Sequence, residues 1–443
     1  MLKMKHPHPL PPLCTRHPDL VDTNCYPWFL DIFLSSPNVK VSPSARCIIM
    51  VTPQEIETAL GEHQFCLFYQ PKFSLRHPGV EGCEALLRWR HPDGSMVPPG
   101  AFIGVAERAG LLPKITSHIV PLLFNDMETL GKTPYCPVSF NATASDFRDD
   151  HLVGMILDEI GATGVKPEQL EVEITENEAL QSGKQVQENV QHLRDAGLGL
   201  AMDDFGTGYS SVDTLSRWPF STIKIDQGLI GRMLESEKSA HIVRSAIRLA
   251  HELDIDLVAE GVEKEAQYHF LLEAGASKVQ GYLISRPLGL QDLMGQSQFT
   301  GCPVSMAVGT IHMAIMDHIQ WRKRMVSFAV RSAMLPPDAP SRMLADHPIL
   351  SSSKCAIGRW YRGDGQALAY LPDFQRSDGA HERLHAIGAI IVDRVRNGAD
   401  LSAVMVLLDE LQLASIDMLG SLMKLENHAL IAIYGPKCMT PVQ

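Results

Sequence analysis

The stretch Gly197–Gly208, GLGLAMDDFGTG, runs apolar for several residues and then sets two carboxylates, Asp203 and Asp204, side by side ahead of two glycines. Adjacent like charges repel, and desolvation at the end of a buried strand raises their pKa values, so something must compensate them. A bivalent metal ion is the most economical compensator, and its other ligands should lie at the ends of neighbouring strands. Without a metal, the same two residues would merely cap the following loop.

Working outward, short apolar or β-branched runs alternate with longer amphipathic ones from about residue 51 to 290, the pattern of βα units. Eight strand candidates follow one another: FCLFYQP (65–71), GCEALLRW (82–89), CPVSFNAT (136–143), QLEVEITE (169–176), GLGLAMDDFG (197–206), FSTIKID (220–226), DLVAEGV (256–262) and KVQGYLIS (278–285). Helical patterns such as KQVQENVQHLRDAG and KSAHIVRSAIRLAHELD lie between several of them. The expected fold class is therefore α/β, a TIM-type (β/α)8 barrel, whose chemistry is built where strand carboxyl ends face a common mouth. At those ends the chain places Gln70, Glu84, Asn141, Glu173, Glu176, Asp203, Asp204, Lys224, Glu260, Glu263 and Gln280. All the charged members except Lys224 are acids, a donor set that suits hard cations such as Mg²⁺ or Mn²⁺. Two such ions, about 3.5 to 4 Å apart, would explain the paired aspartates and would serve displacement at phosphorus.

The same residues carry a resemblance. EALLRW (84–89), FNAT (140–143), EITE (173–176), DDFGTGYSS (203–211), KID (224–226), AEGVE (259–263) and QGYLISRPL (280–288) occur in the order seen in the EAL-type cyclic di-GMP phosphodiesterases of bacteria, which this chain resembles over about 54–290. The resemblance implies that Glu84, Asn141, Glu173 and Asp203 bind a first metal ion, and that Asp203 is shared with a second, joined there by Asp204. It implies that Lys224 holds or polarises the attacking water, with Glu260 as general base or as the residue orienting that water. Glu263 and Gln280 would support metal or water contacts, Gln70 and Arg88 would contact substrate, and Glu176 would anchor the FGTGYSS loop, which Gly206 and Gly208 let bend. Ser221 stands where the family usually has Asp, and the AGASKVQGY segment also departs from the family pattern, without removing a proposed ligand.

After a connector at 291–302 the strand signal disappears, and residues 303–430 read as a small helical bundle with a tail at 431–443. Ile311, Ile315, His318, Trp321, Met325 and Phe328 share one helical face, and His381, Leu384, His385, Gly388 and Ile391 share another. With Cys355, three imidazoles and one thiolate suffice for a tetrahedral Zn²⁺ site. HIQW (318–321), CAIGRW (355–360) and HERLH (381–385) resemble the chemoreceptor zinc-binding (CZB) domain over about 310–396. That resemblance implies zinc held by His318, Cys355, His381 and His385, a regulatory role, and a homodimer. Entirely structural zinc is the rival reading, and a zinc-bound thiolate that answers to oxidants is another.

Bulk properties set the remaining expectations. The 443 residues carry a formal charge of -12, which argues against broad binding to DNA, RNA or anionic membrane. The nine cysteines form no CxxC pair and suggest a reducing cytoplasm. No apolar run reaches the roughly 20 residues of a bilayer span, and no signal-peptide pattern opens the chain. Residues 1–50, rich in Pro and His, are expected to be a poorly ordered extension, and Met50 is a plausible alternative start. Taken together, these features lead to an expected cyclic di-GMP hydrolase producing linear pGpG, with two Mg²⁺ or Mn²⁺ per barrel and one Zn²⁺ per bundle. The alternative is a cyclic di-GMP receptor without turnover.

Overall fold

In the computed structural model, the described residues are 51–434 apart from 77–78, 132–136, 208–210, 296–302, 337–338 and 340–346. The extension expected over 1–50, most of the connector and the residues from 435 onward lie outside them. So do Gly208 and the two residues after it in the loop following Asp204.

Among the described residues nine strands form one sheet: β1 (Phe65–Ser74), β2 (Val80–Arg90), β3 (Met96–Val97), β4 (Val138–Asn141), β5 (Leu170–Thr175), β6 (Gly199–Phe205), β7 (Thr222–Ile225), β8 (Asp256–Ala259) and β9 (Lys278–Val279). Their order is β1-β9-β8-β7-β6-β5-β4-β2-β3, and an additional β1–β2 pairing closes eight of them into a barrel. Helices lie between the strands, as the alternation predicts. Strand β3 was not expected. It is a two-residue antiparallel edge against Trp89 and Arg90, too short to register as a pattern.

One strand breaks the all-parallel rule. β1 runs antiparallel to both its neighbours, β2 and β9, whereas β2, β4, β5, β6, β7, β8 and β9 follow one another in parallel. The cause is the short link between Ser74 and Val80, since a parallel crossover needs a dozen residues or more. The antiparallel register sets Gln70 opposite Glu84, so a side chain from the first strand enters the mouth at the level of the EAL segment.

Local signals fix the flanking helices. The helix Pro53–Gly61 opens on a capping box between Thr52 and Glu55. The helix Glu237–Leu253 starts at Ser236, whose side chain accepts from Ser239 N–H, and buries Val243, Ala246, Ile247 and Ala250 against the barrel. At the position of the family's Asp, the Ser221 hydroxyl accepts Leu200 N–H at 2.9 Å, while Ser221 N–H donates to Leu200 O at 2.8 Å, tying β6 to β7.

The carboxy-terminal part is helical: Pro303–Met334, Ala356–Arg362, Pro372–Arg396 and Leu401–Tyr434. Trp321, Met325, Leu384, Ile391, Val404 and Leu411 form part of its core. The helix Pro303–Met334 also lies against the barrel helix Glu265–Ala274. A Cβ on Gly309 would come within 2.2 Å of Leu272 O and 2.5 Å of Gly275 Cα, so the two backbones approach as closely as only glycine allows. His251 Nε2 and Asp317 Oδ2, 2.9 Å apart, form a second tie between the same two regions. Among the described residues no helix is long and apolar enough to cross a membrane.

Two substitutions test this contact. Gly309→Ala should destabilise the chain by about 1–3 kcal/mol through overpacking. Gly420→Ala, at a helix position with nothing within 4 Å of the added Cβ, should be neutral or stabilising by up to about 1 kcal/mol. Urea unfolding of both variants measures the difference, and equal midpoints would contradict the close-packed joint.

Candidate active site

The barrel's inner face brings the strand-end residues together by strand register. β4 sets Asn141 beside Glu173 of β5, and β5 sets Thr175 beside Asp203 of β6. Main-chain bonds from Glu260 to Ile225 O and from Gln280 to Ala259 O carry the ladder just past the last strands. Lys224 of β7 lies at the centre. Its Nζ is 2.5 Å from Glu173 Oε2, 2.7 Å from Glu260 Oε1, 3.4 Å from Asp203 Oδ1 and 3.5 Å from Glu84 Oε2. Asn141 Nδ2 donates to Glu84 Oε1 at 2.8 Å, and Gln280 Nε2 donates to Glu84 Oε2 at 2.6 Å. Gln280 also reaches Gln70 Oε1, and Gln70 Nε2 donates to Ser285 O, so both amides belong to the same network.

One lysine does not neutralise this many acids. Burial and the neighbouring carboxylates push Glu84 and Glu260 up, Glu260 far up, although Lys224 pulls both down. Glu173 goes the other way. Burial opposes its charge, but Lys224 and Lys72 outweigh burial and hold it down at about 2. Lys224 is also desolvated, yet Asp203, Glu173, Glu260 and Glu84 raise it well above the usual lysine range. Asp204 is pushed up to about 6 by burial, Asp203 and Asp226. Its φ of 57° is left-handed, a region Asp tolerates better than most residues and one that recurs at functional sites. The donor set fits divalent ions: these carboxylates and the Asn141 amide are hard oxygen donors carrying excess negative charge in a buried box. Glu84, Asn141, Glu173, Asp203 and Asp204 could hold such ions.

Other expected residues are placed differently. The Glu176 carboxylate is fully buried, and its Oε2 accepts Gly206 N–H at 3.3 Å, at the start of the loop after Asp204. Arg88 shares the inward face of β2 with Glu84, but its guanidinium lies 5.8 Å above the Phe68 ring and donates to Leu87 O. Glu263 does not join the network. Its side chain is exposed and its N–H donates to Gln267 Oε1, because the chain turns outward into the helix Glu265–Ala274.

Sequence reasoning missed Lys72, Ser139, Glu171 and Thr222. Lys72 Nζ is 2.9 Å from Glu173 Oε1, 3.3 Å from Glu171 Oε2 and 2.7 Å from Ser139 Oγ, and Thr222 Oγ1 donates to Glu171 Oε1 at 2.5 Å. Period two was the available signal: if Glu173 points inward, so does Glu171.

The tightest group of potential metal donors among the described residues is in the bundle. Donor atoms of Cys355, His381 and His385 all lie within 4.8 Å of one another, and all three residues are buried. Cys355 caps the helix Ala356–Arg362, its Sγ accepting Gly358 N–H at 3.2 Å and sitting 3.1 Å from His381 Nε2. His385 Nδ1–H donates to Leu350 O at 2.8 Å, which leaves Nε2 as the donor for a metal. His318, expected as the fourth ligand, stands apart from this trio. Its Nε2 is 2.8 Å from Ser415 Oγ, and its buried Nδ1 has no hydrogen-bond partner. Soft and borderline donors of this kind suit Zn²⁺.

Comparison with known proteins places the barrel. The EAL domain family model matches residues 54–287. This chain belongs to the EAL domain family. It is 34% identical over 242 residues to the bifunctional diguanylate cyclase/cyclic di-GMP phosphodiesterase MucR of Pseudomonas aeruginosa, covering 54% of this chain and 35% of that protein. It is 34% identical over 241 residues to the cyclic di-GMP phosphodiesterase RocR of the same organism, covering 54% of this chain and 62% of RocR. Among solved structures, the PaMucR phosphodiesterase in complex with c-di-GMP matches with a TM-score of 0.52 at 33% identity, over 54% of this chain and 98% of that one. The chain thus spans about a third of MucR and less than two thirds of RocR. These matches cover little more than half of it.

The bundle's buried imidazoles predict a pH effect. Burial pushes His318 down to about 4 and His381 to about 3, and it lowers His385 as well. The unfolded chain therefore takes up protons near pH 6.5 that the folded bundle refuses, and stability falls as pH drops from about 6.5 toward 4. Melting of chelator-treated protein should show a Tm that falls across this window, and His381→Ala should flatten the dependence. A Tm independent of pH there would contradict it.

Proposed function

We propose that this chain hydrolyses cyclic di-GMP to linear pGpG at the mouth of the barrel. The carrying observation is the intact constellation around Lys224: Glu84, Glu173, Asp203 and Glu260 within 3.5 Å of its Nζ, with Asn141 and Gln280 bonded to Glu84. Membership of the EAL family supports the reading, as does likeness to a phosphodiesterase solved with c-di-GMP.

Bound Mg²⁺ or Mn²⁺ would supply Lewis acidity and neutralise charge at the phosphodiester. The chain's own residues do the rest. Lys224 presents a fixed cation to water and to charge developing on phosphate. Glu260, 2.7 Å from Lys224, is suited to accept the proton of the attacking water once divalent ions in the mouth hold its carboxylate ionised against burial. Gln280 and Asn141 keep both oxygens of Glu84 oriented. Arg88 and Gln70 on the rim bind the nucleotide, and Glu176 steadies the loop that follows Asp204. The barrel occupies about 51–290, and none of the carboxylates proposed as metal ligands is missing, which favours an enzyme over a receptor without turnover.

The bundle, about 303–430, takes the CZB-like role. It holds one Zn²⁺ at Cys355, His381 and His385, with His318 as the fourth ligand after it leaves Ser415, and zinc occupancy tunes turnover in a homodimer.

Purified full-length protein with Mn²⁺ should convert cyclic di-GMP to pGpG, read by chromatography, and Glu84→Ala should lose about a hundredfold or more. Nucleotide that binds tightly and stays intact would establish the receptor reading instead. Across a buffered zinc series the wild-type rate should change, while His381→Ala should hold less zinc and respond little. Equal zinc content in the two proteins would end the regulatory proposal.

A further inference from the structure

Beneath the acids of the mouth lies a second polar layer that the proposed chemistry does not use. It comprises Lys72 of β1, Ser139 of β4, Glu171 of β5 and Thr222 of β7, each two residues deeper than a mouth residue on its own strand: Gln70, Asn141, Glu173 and Lys224. Barrels ordinarily fill such layers with branched apolar side chains. Here the layer holds a lysine only 4% exposed. It also takes in Glu171, for which the neighbouring strand makes room: a Cβ on Gly199 would meet Glu171 Cβ and Cγ at 3.0 Å. Burying an ion pair in place of packed hydrophobes is generally neutral or costly for stability, so stability alone is a poor reason for it.

The geometry suggests another reason. The two oxygens of Glu173 are divided between two lysines: Oε1 lies 2.9 Å from Lys72 Nζ below, and Oε2 lies 2.5 Å from Lys224 Nζ above. Glu173 is fully buried, so bulk solvent does not compete for either oxygen. Lys72 is itself pinned by Ser139 Oγ at 2.7 Å and Glu171 Oε2 at 3.3 Å. Glu171 is in turn held by the Thr222 hydroxyl. The chain from Thr222 to Glu173 therefore leaves the Glu173 carboxylate little freedom to rotate.

We propose that Lys72 is a positioning residue: it occupies one oxygen of Glu173 from below, so that the carboxylate offers only Oε2 to a divalent ion in the mouth. The proposal rests on the metal reading above and adds a residue outside the motifs quoted for the resemblance. Lys72 touches neither substrate nor ion. It acts by fixing how Glu173 binds.

The test is Mn²⁺ binding by the full chain, measured calorimetrically after the Cys355, His381 and His385 cluster has been saturated with zinc. Lys72→Met keeps the length of the side chain and removes its donor. The variant, with circular dichroism matching wild type, should bind Mn²⁺ roughly ten- to hundredfold more weakly, the usual penalty for losing a residue that orients a metal ligand. A residue serving stability alone would lower the Tm and leave the Kd unchanged, and that result overturns the proposal. Wild type that binds no Mn²⁺ at all overturns the metal reading and this proposal with it. Should Lys72→Met fail to fold, a crystal structure of the wild-type Mn²⁺ complex decides. Glu173 ligating through one oxygen, with Lys72 on the other, supports the proposal; both oxygens on the ion, or Lys72 detached from Glu173, refutes it.

Discussion

The constraint on which the barrel depends is electrostatic: several carboxylates are buried at one level of a closed sheet, with two lysines as the nearest cations. Lys224 sits at their centre and Lys72 just beneath, and both lysines contact Glu173. In a medium of low polarity an uncompensated charge is strongly disfavoured, so groups whose cations do not outweigh burial and like charge shift toward their neutral forms. This is why Glu173 is held ionised while Glu84, Asp204 and Glu260 are pushed up. The unbalanced part of the site is the part that a divalent cation would satisfy.

The backbone makes this crowding tolerable. Parallel strands bring their carboxyl ends to one rim, and the reversed β1 adds Gln70 and Lys72 from the opposite direction. A strand running antiparallel approaches the mouth and then descends, so one short segment supplies both a rim amide and a buried cation. The left-handed Asp204 falls where the pairing of β6 with β7 shifts register, between Met202 and Phe205.

The bundle follows a different chemistry. Its Cys355, His381 and His385 are softer donors than the barrel's oxygens, and burial keeps the imidazoles neutral and the thiol protonated in the absence of a metal. A metal therefore displaces a proton at Cys355, whereas the imidazoles need lose none. The site is also structurally connected to the barrel. Trp360, on the helix that Cys355 caps, donates to Thr310 Oγ1 at 2.8 Å, and the adjacent Gly309 lies against Gly275, a few residues before Gln280. A shift of the capped helix has a packed route toward the strand end that carries Gln280.

Periodicity and strand-end chemistry determined the eight-stranded barrel, the helical tail and the identities of the residues that face the mouth. These are local properties: each strand's alternation and each helix's apolar face can be read within one segment. Glu171 and Lys72 were partly legible in the same way, since both share a strand face with a residue already singled out. The direction of β1 depends on the shortness of the link after Ser74, and the two-residue β3 leaves no pattern at all. Which residues converge was decided by tertiary structure alone. Glu263 belongs to a matching motif yet turns outward, because the chain leaves β8 for a helix. His318 lies on the inward face of its helix, as its expected partners do on theirs, yet it meets Ser415 of the last helix, at a distance along the chain that no local period reaches. Spacing shows which face a side chain is on, but only the packing of distant segments decides which partner it meets there.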